Sequence, residues 1–197
     1  MVTKKHKNAP GRPRRFDPEQ AVAVAQALFH ERGYDAVSVA EVTDALGINP
    51  PSFYNAFGSK KGLYQRVLER YTVTGAIPLT ELLRDDCPVE DALISLLEEA
   101  ARRYSENKSC AGCLVLEGIR CTDPEAREAA SAFRRAAEAA IYDFIAARYP
   151  LHAERLTDFI GVVMSGLSSM ARQGHSIEKL TESAHLAGLA LTASVRM

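Results

Sequence analysis

Long apolar runs are missing from this chain: every hydrophobic stretch is broken by charged or polar residues well before membrane-spanning length, and no apolar signal core lies near the first residue. A cytoplasmic protein with no membrane partner is therefore expected. Cysteine is sparse too. Cys87, Cys110, Cys113 and Cys121 are too few and too clustered for the disulfide framework of a secreted mini-protein, so reduced thiols are expected. Strand-type alternation of β-branched residues is almost absent, as are internal repeats and low-complexity tracts, which argues against sheets and repeat arrays. There is also no Ser-His-Asp order, no phosphate-cradling glycine loop and no His-Glu-x-x-His pattern. No enzyme activity, cofactor or metal is expected.

What is present is an ordinary globular balance, 47% hydrophobic and 25% charged, in 197 residues, enough for one large domain or a small one joined to a larger one. The net charge of -1 hides an asymmetry. Residues 1–75 carry 11 Lys and Arg against 7 Asp and Glu, and the remainder 13 against 18, so the halves stand near +4 and -5. Lys4, Lys5, Lys7, Arg12, Arg14 and Arg15 occur in the first fifteen residues without one acid. Such an arm points to a polyanionic partner at one end of the molecule, a solvated tail being the alternative.

The periodicity predicts an all-α protein of about nine helices. The first starts at the cap Asp17 with Pro18 behind it, carries Ala21, Val24, Ala25, Leu28 and Phe29 on one stripe, and stops before Gly33. Ser38 and Glu41 form a capping box for a short second helix that ends at Gly47. Asn49 caps a third, with Pro50 and Pro51 in the turn where an N–H has no intrahelical partner anyway. Ser59 caps a fourth, with Leu63, Tyr64, Val67, Leu68 and Tyr71 inward. Five more are expected over about 88–105, 112–121, 124–149, 153–173 and 176–196.

Residues 38–57 thus have the form of a helix-turn-helix, whose second helix can enter a major groove and present polar side chains to base edges. Spacing alone leaves a packing hairpin open. The residues of segment 11–68 resemble the TetR-type DNA-binding domain, most specifically in Phe29 to Tyr34, in Ser38, Val39 and Glu41, and in Ser52, Phe53, Tyr54, Phe57, Ser59, Lys60 and Leu63. The resemblance implies a double-stranded DNA operator as partner, with Tyr54 and Lys60 on phosphates and Ser38 beside the backbone. Base reading then falls to Asn49, Pro51, Ser52 and Asn55, of which Asn55 suits a bidentate pair with adenine. Pro51 stands where the family usually has a small residue, so base preference does not carry over. Phe53 and Phe57 are assigned to the local core. Arg12, Arg14 and Arg15 are expected in the minor groove.

The resemblance divides the chain into a basic arm (1–15), a three-helix DNA-binding domain (16–62) and a helical ligand-binding and dimerisation domain (63–197). It implies a homodimer, a small-molecule effector of unknown identity and a repressor on a palindromic operator. Small residues on the last two helices, Gly161, Ser165, Ser168, Ala184, Ala187 and Gly188, suit close packing between subunits, intrachain packing being the alternative. Tyr104, Phe133, Tyr142, Met164 and Met170 are expected to wall a ligand pocket. Cys110 and Cys113 form a C-x-x-C that permits thiol or metal sensing, or redox chemistry, although one pair is half of a tetrahedral site, and a structural role ranks above a sensory one. A purely structural dimerisation module is the third class of reading, and like the redox protein it leaves the basic arm unexplained.

Overall fold

The computed structural model describes residues 17–195, and within them the chain is all-α, with ten α-helices and no strand. The expected positions Arg12, Arg14 and Arg15 lie outside the described residues. Helix α1 (Pro18–Arg32) begins where the Asp17 carboxylate accepts the Glu19 N–H at 3.0 Å and ends at Gly33, whose φ of 79° stops the helix. Helix α2 (Val39–Leu46) opens on the expected capping box: Glu41 N donates to Ser38 Oγ at 3.2 Å and Ser38 N to Glu41 Oε2 at 2.8 Å. Gly47 closes it in the left-handed conformation at φ 64°, and Asn49 Oδ1 then takes the Ser52 N–H at 2.9 Å to start α3 (Pro50–Phe57). Ser59 caps α4 (Lys60–Thr74) through Gly62 N at 3.0 Å.

The remaining helices are α5 (Leu79–Leu82), α6 (Val89–Glu106), α7 (Leu114–Gly118), α8 (Pro124–Ala146), α9 (Ala153–Arg172) and α10 (Ile177–Val195). All nine expected helices are present; the four-residue α5 and a 3-10 turn at Lys108–Cys110 were not foreseen. Helix α7 is shorter than the expected 112–121, because Gly112 sits at φ 80° outside any helix and the chain turns again after Gly118. The stripe on α1 is also rotated from expectation. Val22 and His30 are buried beside Ala21, Ala25 and Phe29, while Val24 and Leu28 are half-buried, because α1 is covered by α4 on one side and by the Cys110 to Cys113 loop on another.

Two cores form. The first gathers Phe29, Tyr34, Val42, Phe53, Leu63 and Tyr64, and takes Leu114 from α7, Cys121 from the loop after it, and Ala126 and Ala130 from α8. The second joins α6, the C-terminal half of α8, α9 and α10 around Leu93, Leu96, Leu97, Ile145, Leu156 and Ile160. Helix α8, 23 residues and about 35 Å long, contributes to both, with Ala126 and Ala130 in one and Ile141, Phe144 and Ile145 in the other. A rigid element therefore spans from the helix-turn-helix to the far end of the molecule.

Candidate nucleic-acid interface

The recognition surface is built by anchoring one face of α3 and leaving the other to solvent. Phe53 and Phe57 are buried, their rings 5.4 Å apart, as the sequence predicts. Tyr54 is 51% exposed and its ring stands edge-on to Phe53 at 5.3 Å, so the phenol is braced rather than loose. Asn49, Pro51 and Asn55 are exposed and Ser52 half-buried, which brings the expected base-reading positions onto one helix and its cap. The Asn49 carboxamide oxygen and the Ser52 N–H are occupied by the cap; the Asn55 amide is on the open face. Ser38 is exposed, but its hydroxyl donates to Glu41 Oε2 at 2.8 Å, so it can lie beside a backbone more readily than it can donate to it. Ser38 N–H, the Ser38 hydroxyl and Arg32 together hold the Glu41 carboxyl down to about 2.

Lys60 is where sequence reasoning missed the setting. Its ammonium lies 3.9 Å from the centre of the Tyr34 ring, and burial there lowers its pKa against the opposing pull of Asp35 and Asp123. The Tyr34 hydroxyl donates to Asp123 Oδ2 at 3.3 Å, and Asp35 Oδ2 accepts Thr122 N at 2.7 Å. Lys61 pairs with Glu125 at 3.0 Å. The lysine expected on a phosphate is thus flanked by the start of α8, and the Tyr34–Asp123 and Asp35–Thr122 bonds reach across more than eighty residues of sequence with no local signal to announce them.

In the larger domain the expected residues scatter. Tyr104 is buried in the second core, Phe133 rests on the first, Met164 is half-buried against the second, and Met170 is exposed on α9. Tyr142 alone among the five lines an open groove of about 750 Å³ between α8 and α9. The five are not brought together as one pocket. Ser168, Ala184 and Ala187 are buried within the subunit, and a Cβ at Gly188 would stand 2.9 Å from Ile94, so these four serve intrachain packing; Gly161 and Ser165 are half-buried at the groove. The two cysteines of the C-x-x-C face different surroundings. Cys110 Sγ is 4.0 Å from the Ala27 carbonyl, with its thiol pKa pushed up by burial and by Glu31, whereas Cys113 lies beside the hydroxyls of the buried Tyr71 and Tyr104. Among the described residues no three His, Cys, Asp or Glu side chains gather as a metal site.

Comparison with known proteins agrees with this geometry. Residues 21–67 match the family model of bacterial regulatory proteins, tetR family. The chain is 61% identical over 191 residues to the HTH-type transcriptional repressor BdcR of Escherichia coli (strain K12), covering 97% of each. It is 30% identical over 187 residues to the HTH-type transcriptional repressor ComR of the same organism, covering 89% of each. A cysteine mutant of the TetR-family regulator CifR, complexed with 26 bp double-strand operator DNA, superposes with a TM-score of 0.81 at 32% identity, over 91% of this chain and 99% of that one. Tyr54 and Asn55 on the open face of α3 are therefore part of a helix-turn-helix whose whole chain, not only its first third, has these relatives: the chain belongs to the TetR family of bacterial regulatory proteins.

Proposed function

We propose that the chain is a cytoplasmic transcriptional repressor that binds a palindromic operator as a homodimer and leaves it when a small molecule binds the larger domain. The observation that carries this reading is the braced, exposed Tyr54 beside Asn55, on a helix whose other face is locked by Phe53 and Phe57. Support comes from the relatives named as repressors and from the operator-bound neighbour. The chain acts by binding and not as an enzyme, and no described helix is long and apolar enough to cross a membrane. We divide it as arm (1–15), DNA-binding domain (16–62) and sensing domain (63–197), with Arg12, Arg14 and Arg15 of the arm adding minor-groove contacts.

The dimer face we assign is the outer side of the last two helices, where Phe159 and Val162 on α9 and Leu186 and Leu189 on α10 are exposed, Val162 at 70% and Leu186 at 60%. Large apolar side chains left exposed on two helices that touch each other call for a cover, and a second copy supplies it as a four-helix interface. A thiol trigger fits less well, since burial pushes the Cys110 thiol pKa up and Cys113 is half-buried beside the hydroxyls of the buried Tyr71 and Tyr104. The test is fluorescence anisotropy of the full chain on a duplex from upstream of its own gene, at physiological salt. Binding about a thousandfold or more tighter than to a scrambled duplex is expected. Equal affinity for both duplexes contradicts the proposal.

A further inference from the structure

Between α7 and the C-terminal half of α9 lies a cleft of about 160 Å³ whose walls carry Arg120, Arg172, Glu117, Ser168, Ser169 and Gln173. Arg172 is also the bolt between the two halves of the molecule. Its Nη1 donates to the carbonyl of His30 at 3.0 Å and of Ala111 at 3.3 Å, its Nη2 to the carbonyl of Glu31 at 3.4 Å, and its Nε faces Glu117 Oε2 at 3.4 Å. Three of these four distances are long for a guanidinium, whose charge-assisted bonds usually close to about 2.7–2.9 Å. The carbonyls of His30 and Glu31 are acceptors at the C-terminus of α1, so Arg172 holds the helix on which the helix-turn-helix is packed.

The loop beneath Arg172 is equally committed. Gly112, at φ 80°, has no room for a Cβ, which would stand 2.8 Å from Arg172 Cγ and 2.9 Å from Ser168 Oγ. Its carbonyl accepts from His30 Nε2 at 3.0 Å, its N–H donates to the Tyr104 carbonyl at 2.8 Å, and the next N–H, of Cys113, donates to Ser168 Oγ at 2.9 Å. The cleft therefore shares Arg172 and Ser168 with the junction that fixes α1 to α6 and α9. Arg120, exposed on its rim, makes no side-chain hydrogen bond or ion pair among the described residues.

We propose that this cleft is the effector site and that it takes a small organic anion with a carboxylate or phosphate head, bridging Arg120 and Arg172 and drawing Arg172 off the end of α1. The inference rests on the reading of the chain as a ligand-released repressor. An oxyanion offers Arg172 a closer bidentate partner than its present carbonyls, and the serine hydroxyls and the Gln173 amide can donate to the remaining oxygens. Glu117 is the competitor that the anion displaces. Once Arg172 turns, the α1 carbonyls and the Gly112 loop lose their clamp, and the DNA-binding unit is freed to shift against the larger domain. The differential contact is explicit: the anion binds the conformation in which Arg172 has left α1.

The test is isothermal titration of the full-length, DNA-free chain with citrate and, separately, with inorganic phosphate, each against chloride at matched ionic strength. Saturable binding of one anion per chain is expected, and the stronger of the two arms identifies the head group. Arg120→Gln, which removes a guanidinium without partners among the described residues and so leaves the melting temperature unchanged, should weaken binding about tenfold or more, the loss of one charge-assisted hydrogen bond. Hydrogen exchange at amides 28–33 and 111–113 should quicken on binding. No saturable heat beyond chloride in either arm, binding unaffected by Arg120→Gln, or binding without faster exchange overturns the proposal. Operator binding by the same preparation without anion is measured in parallel. Its loss would sink the repressor reading and with it the effector role, leaving only an anion site, while normal operator binding with no anion binding would sink the cleft alone.

Discussion

Asn55 and Lys60 are close in sequence, yet the proposed function gives them different tasks. Asn55 is exposed with its amide on the open face of α3, so Asn55→Ala should cost about 1–3 kcal/mol on the operator, at one position of each half-site, and relax base choice there. Lys60→Gln should weaken binding to operator and random duplex alike and reduce the salt slope by about one unit per half-site. Affinities measured on a base-substituted operator series over a range of salt separate the two; an equal loss for Asn55→Ala on every sequence would show that it reads no base. A buried residue gives a third expectation. The Tyr64 hydroxyl is fully buried with no hydrogen-bond partner among the described residues, and burial raises its pKa, so it stays a neutral, unpaired O–H. An unpaired buried polar group costs about 1–3 kcal/mol, and Tyr64→Phe should raise the melting temperature without touching the DNA surface. A lower melting temperature would show that the hydroxyl has a partner, such as a trapped water.

At the scale of elements, the joint between α3 and α4 depends on Gly62. A Cβ there would stand 2.1 Å from the Phe57 carbonyl oxygen, which is backbone and cannot swing aside. Gly62→Ala should push the two helices apart and destabilise the fold by about 1–3 kcal/mol by thermal melting, with a larger loss on operator DNA than on random duplex. Unchanged stability would mean that the helices tolerate a wider crossing. Helix α2 supplies a pH test. A carboxyl whose folded pKa lies below its ordinary value adds stability above that value and loses it as pH falls toward the folded one, so the contribution of Glu41 fades from 4.5 down to about 2. The melting-temperature gap between wild type and Glu41→Gln should be full at about pH 7 and narrow steadily below the ordinary carboxylate pKa. A gap independent of pH would mean that packing, not charge, is what the substitution removes.

These elements were legible because their signals are local. Asp17, Ser38, Asn49 and Ser59 each cap a helix through an N–H two or three residues on, and each stands immediately before an apolar pattern that a reader can count. The anchoring of Phe53 and Phe57 follows from the same spacing. His30 and Arg172 carry no such signal, since their bonds close over 82 and 142 residues, and only the fold brings them to Gly112 and α1. The small residues of α10 mislead for a different reason: close packing between helices needs the same side chains whether the neighbour is α6 of one chain or a helix of another, and Gly188 meets Ile94 of its own chain.

For the whole molecule, the two recognition helices of the proposed dimer gain specificity only if the distance between them is fixed; in that reading the exposed Phe159, Val162, Leu186 and Leu189 would set the distance, and α8, which contributes to both cores, would transmit it. The measurement that bears most directly on this account is native mass spectrometry of the full chain on a duplex carrying the palindrome found by footprinting upstream of its gene. Two chains per duplex, or a multiple of two, are expected, with the complex lost when one half-site is scrambled and also when Val162→Glu and Leu186→Glu are introduced together. A single chain bound to one asymmetric site, unaffected by either change, would contradict it.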